Sequence, residues 1–203
     1  MKIVGILGSP RKGGNTETLL DLALGEAEKK GVLTDKIALR DKSIAPCDGC
    51  EGCTETGKCV IEDDAQDIYQ VMLESDGMIW ATPVYFWSMS SQTKLLMDRT
   101  YALTFPKLQL ANKVGGLILV ARGRGCMNTA SIFHQYFAYN HMFFAEFAWG
   151  YASTKGEIKK NTLATAVAPE MLNQMISLIN ANLKYPEEFD SPIIRLVRKK
   201  YHL

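Results

Sequence analysis

Four of the five cysteines in the 203-residue chain fall within thirteen residues, at Cys47, Cys50, Cys53 and Cys59. A disulfide framework normally joins distant segments, and a chain of this length can bury a core without such bridges. Clustered thiols in a reducing compartment are instead typical of metal binding or redox chemistry. The cysteine loop, residues 47–59, is therefore predicted to carry a metal or redox site.

The spacing Cys-x2-Cys-x2-Cys-x5-Cys is the most specific pattern in the sequence. Three thiolates within seven residues can bind one face of a cubane cluster, and the x5 interval lets the fourth turn back onto it. Zinc usually takes two separated pairs of ligands, which this single compact run fits poorly. A disulfide, or a set of cysteines without a ligand, is the remaining alternative. The fifth cysteine, Cys126, stands alone and is predicted to be a buried or loop thiol without a nucleophilic role.

A second chemical pattern, the phosphate loop of residues 8–16, reads Gly-Ser-Pro-Arg-Lys-Gly-Gly-Asn-Thr and joins a predicted strand to a predicted helix. Backbone N–H groups and the helix dipole favour an anion at such a place. A Walker loop would need Gly-Lys-Ser/Thr, and a dinucleotide fingerprint would need G-x-G-x-x-G; neither is present. The loop therefore predicts a site for a bound terminal phosphate, with a ligand-free turn as the alternative. Hydroxyl and amide donors, a cation and a close backbone approach would come from Ser9, Asn15, Thr16, Arg11 and Gly14.

The elements that must position these residues follow from the apolar patterns. Strands are predicted at residues 2–7, 36–39, 77–82, 114–121 and 142–149. Helices are predicted from Thr16 to Gly31, after Asp63 and Asp64, from the 83–90 loop to Thr100, around residues 132–137, and from Pro169 to Leu183. This alternation predicts an α/β fold with a doubly wound, five-stranded parallel sheet in the order 2-1-3-4-5 and helices on both faces.

The start Gly-Ser-Pro-Arg-x-Gly-Gly-Asn-Thr and the later Thr-Pro-Val-Tyr-Phe at residues 82–86 resemble the NADPH-dependent FMN reductase and iron–sulfur flavoprotein families. The resemblance covers about residues 2–150. It implies a flavodoxin-like, FMN-binding domain over residues 1–185, with the FMN phosphate in the phosphate loop. It also implies a [4Fe–4S] centre on the four clustered cysteines. Residues 186–203 are predicted to be a helical tail whose basic residues form a solvated helix end.

The loop after the third predicted strand is expected at the same sheet edge as the phosphate loop, because ligands bind beyond the carboxyl ends of parallel strands. Its aromatic side chains offer a flat surface for an isoalloxazine ring, with a hydrophobic subunit contact as the alternative. Family members commonly have glycine in place of Trp87, and small residues in place of Cys126. Residues 122–125 are candidates to reach the ring or the phosphate of a nicotinamide donor. The resemblance implies that the ring is bordered by Pro83, Val84, Tyr85, Phe86, Trp87, Ser88 and Met89.

The predicted function is an FMN-dependent oxidoreductase that transfers electrons between FMN and a [4Fe–4S] cluster, linked to NAD(P)H or a ferredoxin. One alternative is an NAD(P)H-dependent reductase of FMN, quinones or azo compounds that uses FMN without a cluster. Another is a flavodoxin-like electron carrier. The family implies that cluster and ring meet across a subunit boundary, so a homodimer or homotetramer is expected, with a ferredoxin or other redox partner.

Composition argues against several other classes. The net charge of +1 supplies no general field for nucleic acid or an anionic membrane. No stretch approaches the roughly 20 apolar residues of a membrane span, and the first apolar run is too short for a signal peptide. A cytoplasmic protein is therefore expected. The three histidines, His134, His141 and His202, form no motif with Cys126 or a carboxylate pair, which argues against a hydrolytic triad.

Overall fold

The computed structural model describes residues 1–186, 189 and 192–201, without the side chains of residues 197 and 201. The strands are β1 (Lys2–Leu7), β2 (Leu33–Ala38), β3 (Gly77–Tyr85), β4 (Ser88–Met89), β5 (Val114–Ala121), β6 (Phe143–Phe144) and β7 (Ala148–Tyr151). The long strands are parallel in the order β2-β1-β3-β5, and β6 and β7 both pair with the outer edge of β5. The predicted flavodoxin-like sheet is thereby confirmed.

Helices cover both faces of this sheet. They are α1 (Asn15–Lys29), α2 (Gly52–Thr56), α3 (Ala65–Glu74), α4 (Ser91–Arg99), α5 (Tyr101–Thr104), α6 (Cys126–Tyr139), α7 (Thr162–Asn180) and α8 (Pro192–Tyr201), with short 3-10 helices at Leu39–Asp41 and Glu157–Lys160. Alternate residues of β3 serve the two layers: Trp80 lies in the core with α3, α4 and α6, whereas Ile79 lies in the core with α1 and α7. Among the described residues, no helix is long and apolar enough to cross a membrane.

The C-terminal tail is described only in part. Helix α8 lies within the predicted tail and packs through Ile194 against Phe105 and Leu108. The tail residues 187, 188, 190, 191, 202 and 203, and with them His202, lie outside the described residues.

The prediction of one continuous fifth strand over residues 142–149 is wrong, because the structure has two short strands, β6 and β7, in this region. Gly115 pairs with Phe144 but Ile118 pairs with Ala148, so three residues of the outer strand lie opposite two residues of β5. One extra residue in one strand of a pair is a β-bulge, which interrupts the ladder and bends the strand. The bulge divides the strand into β6 and β7, and it carries β7 on to Tyr151, where its end reaches the ligand edge of the sheet.

The loop predicted at residues 83–90 is a β-hairpin instead. Strand β3 continues to Tyr85, and β4 pairs with it antiparallel, Tyr85 opposite Ser88. The two turn residues, Phe86 and Trp87, have φ values of 46° and 61°. Positive φ at both central positions is the geometry of a two-residue turn that matches the twist of its strands. The sequence concealed this turn because both positions hold bulky residues and not glycine or asparagine.

Two element boundaries also differ from the sequence prediction. Helix α7 begins at Thr162 and contains Pro169 in its interior, because the Asn161 side chain accepts the Ala164 N–H at 3.0 Å and caps an earlier start. Strand β2 begins at Leu33, three residues before the predicted start. It lies at the sheet edge and is largely exposed, so its sequence carries no continuous apolar run.

Candidate functional site

A pocket of about 440 Å³, here called the edge pocket, opens at the carboxyl ends of β1, β3, β5 and β7. The predicted site residues that line it are Ser9, Arg11, Gly14, Asn15, Thr16, Pro83, Val84, Tyr85 and Phe86. The other predicted ring contacts lie elsewhere: Trp87 lines an adjacent groove, and Ser88 and Met89 form β4. The structure therefore brings the phosphate loop and the first half of the aromatic hairpin to one pocket.

Helix α1 presents unused donors to the edge pocket. Its N-cap is Gly14, which has no side chain to accept the first N–H groups of the helix. Such free N–H groups and the positive end of the helix dipole favour an anion. In the part of the chain that the structure describes, no hydrogen bond or ion pair engages the Arg11 guanidinium. A cation and helix N–H groups thus line the same wall, as a phosphate site requires.

The Glu17 side chain fixes the phosphate loop through a hydrogen bond to its backbone. The Gly13 N–H, at a φ of 63° that favours glycine, donates to Glu17 Oε2 at 2.7 Å. The nearly buried Glu17 carboxylate also accepts hydrogen bonds from both terminal nitrogens of Arg40, at 3.1 and 3.2 Å, and from Lys36 Nζ at 3.2 Å. Burial favours the neutral acid, but these hydrogen bonds outweigh it and hold the pKa of Glu17 below its ordinary value. The charge of Glu17 is therefore neutralised within the protein.

Only glycine fits at the start of the phosphate loop. A Cβ on Gly8 would lie 1.8 Å from Thr93 Oγ1, because the end of β1 meets the first turn of α4 there. The Gly8 carbonyl accepts the Ser90 hydroxyl at 2.7 Å, and Ser90 caps α4 by accepting the Thr93 N–H. This contact fixes the phosphate loop relative to the hairpin that leads into α4.

Asn15 lines the edge pocket, but its side-chain amide is already engaged. Nδ2 donates to the Thr154 carbonyl at 2.8 Å, and Oδ1 accepts the Gly156 N–H at 2.8 Å. The Asn15 side chain therefore joins the phosphate loop to the segment after β7. The position of that segment explains why Ala152 and Ser153, which sequence reasoning missed, also line the pocket.

The other lining residues missed by sequence reasoning, Val120 and Ala121, end the predicted fourth strand. The rule that ligands bind beyond the carboxyl ends of parallel strands could have identified them. No comparable signal existed for Ala152 and Ser153, because the bulge hid the true end of the last strand.

The aromatic hairpin leaves a second, more open groove beside the edge pocket. It has a volume of about 410 Å³ and is lined by Val84, Phe86, Trp87 and residues 122–124, which include Arg122 and Arg124. Phe86 is 94% exposed and Trp87 55% exposed at the hairpin tip. Since Trp87 adopts a left-handed backbone, the position that is commonly glycine in the family has the conformation that glycine favours.

The four clustered cysteines line a separate pocket of about 260 Å³, here called the cysteine pocket. Cys47 and Cys50 are exposed, Cys53 and Cys59 are partly buried, and all are free thiols, so the structure shows no disulfide among them. Burial raises the pKa of the Cys53 thiol, and the charges of the other three cysteines act in the same direction. All four thiols therefore border one cavity, and Cys53 is the most affected by its surroundings.

The donor set of the cysteine pocket consists of four thiols, which are ligands for iron–sulfur clusters and for zinc alike. Within the described parts of the chain, no three Cys, His, Asp or Glu side chains converge closely enough to hold one metal ion. Zinc would draw its sulfur ligands to about 2.3 Å from a common centre. In a [4Fe–4S] cluster each thiolate binds a different iron, so its four ligands need not converge on one point.

Sequence reasoning missed the ion pair that closes the cysteine loop. Arg99, the last residue of α4, contacts Asp63 at 2.6 and 3.1 Å, and it lines the cysteine pocket. Asp63 also accepts the Ala45 N–H at 2.8 Å. A basic residue at the end of an amphipathic helix ordinarily indicates a solvated end, so the sequence carried no signal for a buried arginine.

The remaining chemical residues stand apart from both pockets. Cys126 is buried at the start of α6, and burial raises the pKa of its thiol to about 11, so it stays protonated at neutral pH. His134 stacks on Phe144 with ring centroids 4.7 Å apart, as a packing residue does.

Comparison with known proteins agrees with this geometry. The sequence profile of the NADPH-dependent FMN reductase family matches residues 1–154. An iron–sulfur flavoprotein of Methanocaldococcus jannaschii is 44% identical over 144 residues, which are 70% of this chain and 74% of that protein. An iron–sulfur flavoprotein of Methanosarcina thermophila is 42% identical over 124 residues, which are 61% of this chain and 65% of that protein. The matched region is thus only part of each relative's length.

Solved structures share the fold at low sequence identity. RosB with a bound 8-demethyl-8-formylriboflavin-5′-phosphate intermediate has a TM-score of 0.75 at 17% identity, covering 100% of this chain and 86% of that one. An NAD(P)H:quinone oxidoreductase from Methanothermobacter marburgensis has a TM-score of 0.71 at 8% identity, covering 92% and 98%. These likenesses establish the flavodoxin-like fold, while the profile match establishes the family. The chain belongs to the NADPH-dependent FMN reductase family and is thus an FMN-dependent oxidoreductase.

Proposed function

We propose that the chain holds FMN in the edge pocket and a [4Fe–4S] cluster in the cysteine pocket, and that it transfers electrons between them. The observation that carries the proposal is the presence of two separate pockets with different donors. One has helix N–H groups, Arg11 and aromatic side chains, and the other has four free thiols. When bound, the two cofactors supply the electron chemistry, and the protein supplies position and electrostatics.

The residues of the edge pocket would bind FMN as follows. The phosphate would accept hydrogen bonds from the backbone of Gly14, Asn15 and Thr16, with Arg11 as its cation. The ring would lie against the hairpin residues Tyr85 and Phe86. In the cysteine pocket, Cys47, Cys50, Cys53 and Cys59 would each bind one iron as thiolates.

We propose a homodimer or homotetramer, because an oligomer could bring the two kinds of pocket closer together than they lie within one chain. The hairpin that lines the edge pocket leads into α4, and Arg99 at the other end of α4 lines the cysteine pocket. The nine residues of α4 rise about 14 Å. An oligomer in which the exposed hairpin tip of one copy approaches the cysteine loop of another would shorten this path. A ferredoxin or other redox partner would then exchange electrons with the oligomer.

The test is the content of iron and acid-labile sulfide per FMN in protein purified without oxygen. We expect about four of each per flavin. Cys59→Ser should lose the cluster but keep FMN, because Cys59 does not line the edge pocket. Cys126→Ser is the matched control and should retain both cofactors, since its buried thiol lines neither pocket. Flavin without iron or sulfide in the wild type would contradict the proposal.

One observation favours a second candidate, a NAD(P)H-dependent reductase of FMN, quinones or azo compounds that works without a cluster. The groove beside the edge pocket carries Arg122 and Arg124, which suit the phosphates of a nicotinamide donor. If the chain has that function, wild type and Cys59→Ser should oxidise NAD(P)H at the same rate. Slower oxidation in Cys59→Ser would favour the cluster-dependent proposal.

A further inference from the structure

The Arg99 side chain is fully buried beside the cysteine pocket, with 0% of its surface exposed. A buried charge is costly unless it is paired. Here the Asp63 carboxylate, itself only 12% exposed, contacts Nη1 at 2.6 Å and Nη2 at 3.1 Å. Burial alone would lower the pKa of Arg99, but the hydrogen bonds to Asp63 outweigh burial and raise it. The guanidinium therefore stays charged at the wall of the pocket.

The same guanidinium holds both ends of the cysteine loop. Nη1 also donates to the Ala45 carbonyl at 2.8 Å, and Nη2 donates to the Ile61 carbonyl at 3.2 Å. These carbonyls lie two residues before Cys47 and two residues after Cys59. The Ala45 N–H donates back to Asp63, so the ion pair closes the loop from both sides.

One donor of Arg99 is left over. Arginine has five N–H groups, and the four on Nη1 and Nη2 are taken up by Asp63, Ala45 and Ile61. The fifth, Nε–H, is buried and has no hydrogen-bond partner among the described residues. Buried polar groups in folded proteins are nearly always paired, so this one points to a missing acceptor. The pocket that Arg99 lines is where four thiols would hold an anionic, sulfur-rich ligand.

We infer that Arg99 is a positioning residue of the cysteine site: it holds both ends of the cysteine loop and donates its Nε–H to a sulfur of the bound cluster. The inference rests on the proposed function and adds a role for a residue outside the four cysteines. Hydrogen bonds and positive charge at cluster sulfurs stabilise the more negative, reduced state. Arg99 therefore raises the reduction potential of the cluster.

The test compares four proteins purified without oxygen: wild type, Arg99→Lys, the double variant Arg99→Gln/Asp63→Asn, and Lys94→Gln. The double variant removes both buried charges together, because Arg99→Gln alone would leave Asp63 buried without its partner. Lys94→Gln is the matched control, since it removes a cation from the same helix whose ion pair with Asp98 is exposed. FMN content reports folding in each protein. Iron per FMN and the cluster reduction potential, with the FMN of the same chain as internal reference, are the readouts.

We expect wild type and Lys94→Gln to agree in iron content and potential. The double variant should hold the cluster about 10- to 100-fold less tightly, the usual effect of losing an outer partner of a metal site. Arg99→Lys keeps the charge but loses the paired Nη1 and Nη2 contacts to Asp63 and the Nε–H donor. The cluster that this variant retains should therefore have a lower reduction potential than the wild-type cluster. If the double variant holds no iron, Arg99→Lys alone decides the question.

An unchanged potential in Arg99→Lys, or unchanged iron and potential in the double variant, would overturn the inference while leaving the proposed function intact. If wild type and Lys94→Gln bind FMN but no cluster, the proposed function itself fails, and the inference fails with it. The two failures are therefore distinguishable by the wild-type iron content.

Discussion

Asn15 and Thr154, 139 positions apart in the chain, are joined by a 2.8 Å hydrogen bond from the Asn15 Nδ2 to the Thr154 carbonyl oxygen. On its other side the same amide accepts the Gly156 N–H. The first and last strands of the ligand edge are thus connected by one side chain. In the proposed phosphate site, the role of the Asn15 amide is therefore to fix the two loops relative to each other.

Replacing Asn15 with alanine should weaken FMN binding, because its two short hydrogen bonds and one longer one, from the Ile158 N–H at 3.4 Å, to the segment after β7 are lost. Each is worth about 0.5–1.5 kcal/mol, so we expect the dissociation constant of FMN to rise by roughly tenfold. Titration of the apoprotein with FMN, followed by flavin fluorescence, measures this. Asn180→Ala, at the exposed end of α7, is the control. Wild-type affinity in Asn15→Ala would show that the bridge does not support the site.

Replacing Arg11 with alanine should weaken FMN but not riboflavin, which lacks the phosphate. A charge-assisted hydrogen bond is worth about 1.5–3 kcal/mol, or roughly 10- to 100-fold in affinity. The comparison of FMN with riboflavin on the same variant isolates the phosphate contact. Lys12→Ala is the control, since Lys12 is the exposed neighbour and does not line the edge pocket. Equal losses for both ligands would contradict a phosphate role for Arg11.

Local patterns were sufficient for the parts of the fold and site that depend on neighbouring residues. The buried run of β1, the glycines after it and the start of α1 lie within about fifteen residues, so their order alone placed the phosphate loop. The aromatic hairpin was located by the same logic, because parallel strands end at a common edge.

Contacts between distant residues could not be predicted in this way. The ion pair of Arg99 with Asp63 spans 36 positions, and Asp63 stood out in the sequence only as the start of a helix. The bulge that extends the last strand depends on how it pairs with β5, which the sequence of that strand does not record. The early start of α7 depends on one capping side chain, Asn161, and the proline inside the helix concealed it.

Replacing Trp87 with glycine should leave FMN affinity within about twofold of wild type, because Trp87 does not line the edge pocket. It should widen the groove that Trp87 shares with Arg122 and Arg124. We expect kcat/KM for NAD(P)H to rise by about 3- to 10-fold, because the smaller residue removes steric crowding of the nicotinamide donor in this groove. That rise is equivalent to lowering the activation free energy by roughly 1 kcal/mol. Steady-state NAD(P)H oxidation measures this. Tyr139→Ala, which changes an exposed aromatic residue at the end of α6, is the control. A fall in FMN affinity in Trp87→Gly would contradict the prediction and would show that Trp87 contacts the flavin ring.

Replacing Glu17 with glutamine should destabilise the protein near neutral pH by about 1–3 kcal/mol, since hydrogen bonds to a buried charge are lost. The folded protein holds the pKa of Glu17 below its ordinary value of 4.5, so its stabilising contribution is present above that pH and is lost on acidification. The difference in free energy of unfolding between wild type and Glu17→Gln should therefore be constant from about pH 7 down to about pH 4.5 and shrink as the pH falls further. Urea unfolding across this range measures it.

Glu28→Gln is the matched control for this prediction, because Glu28 is an exposed carboxylate in the same helix. Within the described chain Glu28 takes part in no ion pair, and it accepts one hydrogen bond from Thr34. It should unfold as the wild type does at each pH. A pH-independent difference between wild type and Glu17→Gln would contradict the assigned charge of Glu17.

The central claim, that electrons pass between the cluster and FMN, is tested most directly by the time course of FMN reduction after anaerobic mixing with a one-electron donor such as reduced ferredoxin. Wild type and Cys59→Ser, each loaded with FMN, are compared by flavin absorbance. The account predicts that cluster bleaching precedes flavin reduction in the wild type and that flavin reduction is much slower in Cys59→Ser. Flavin reduction at the same rate in both proteins would contradict it.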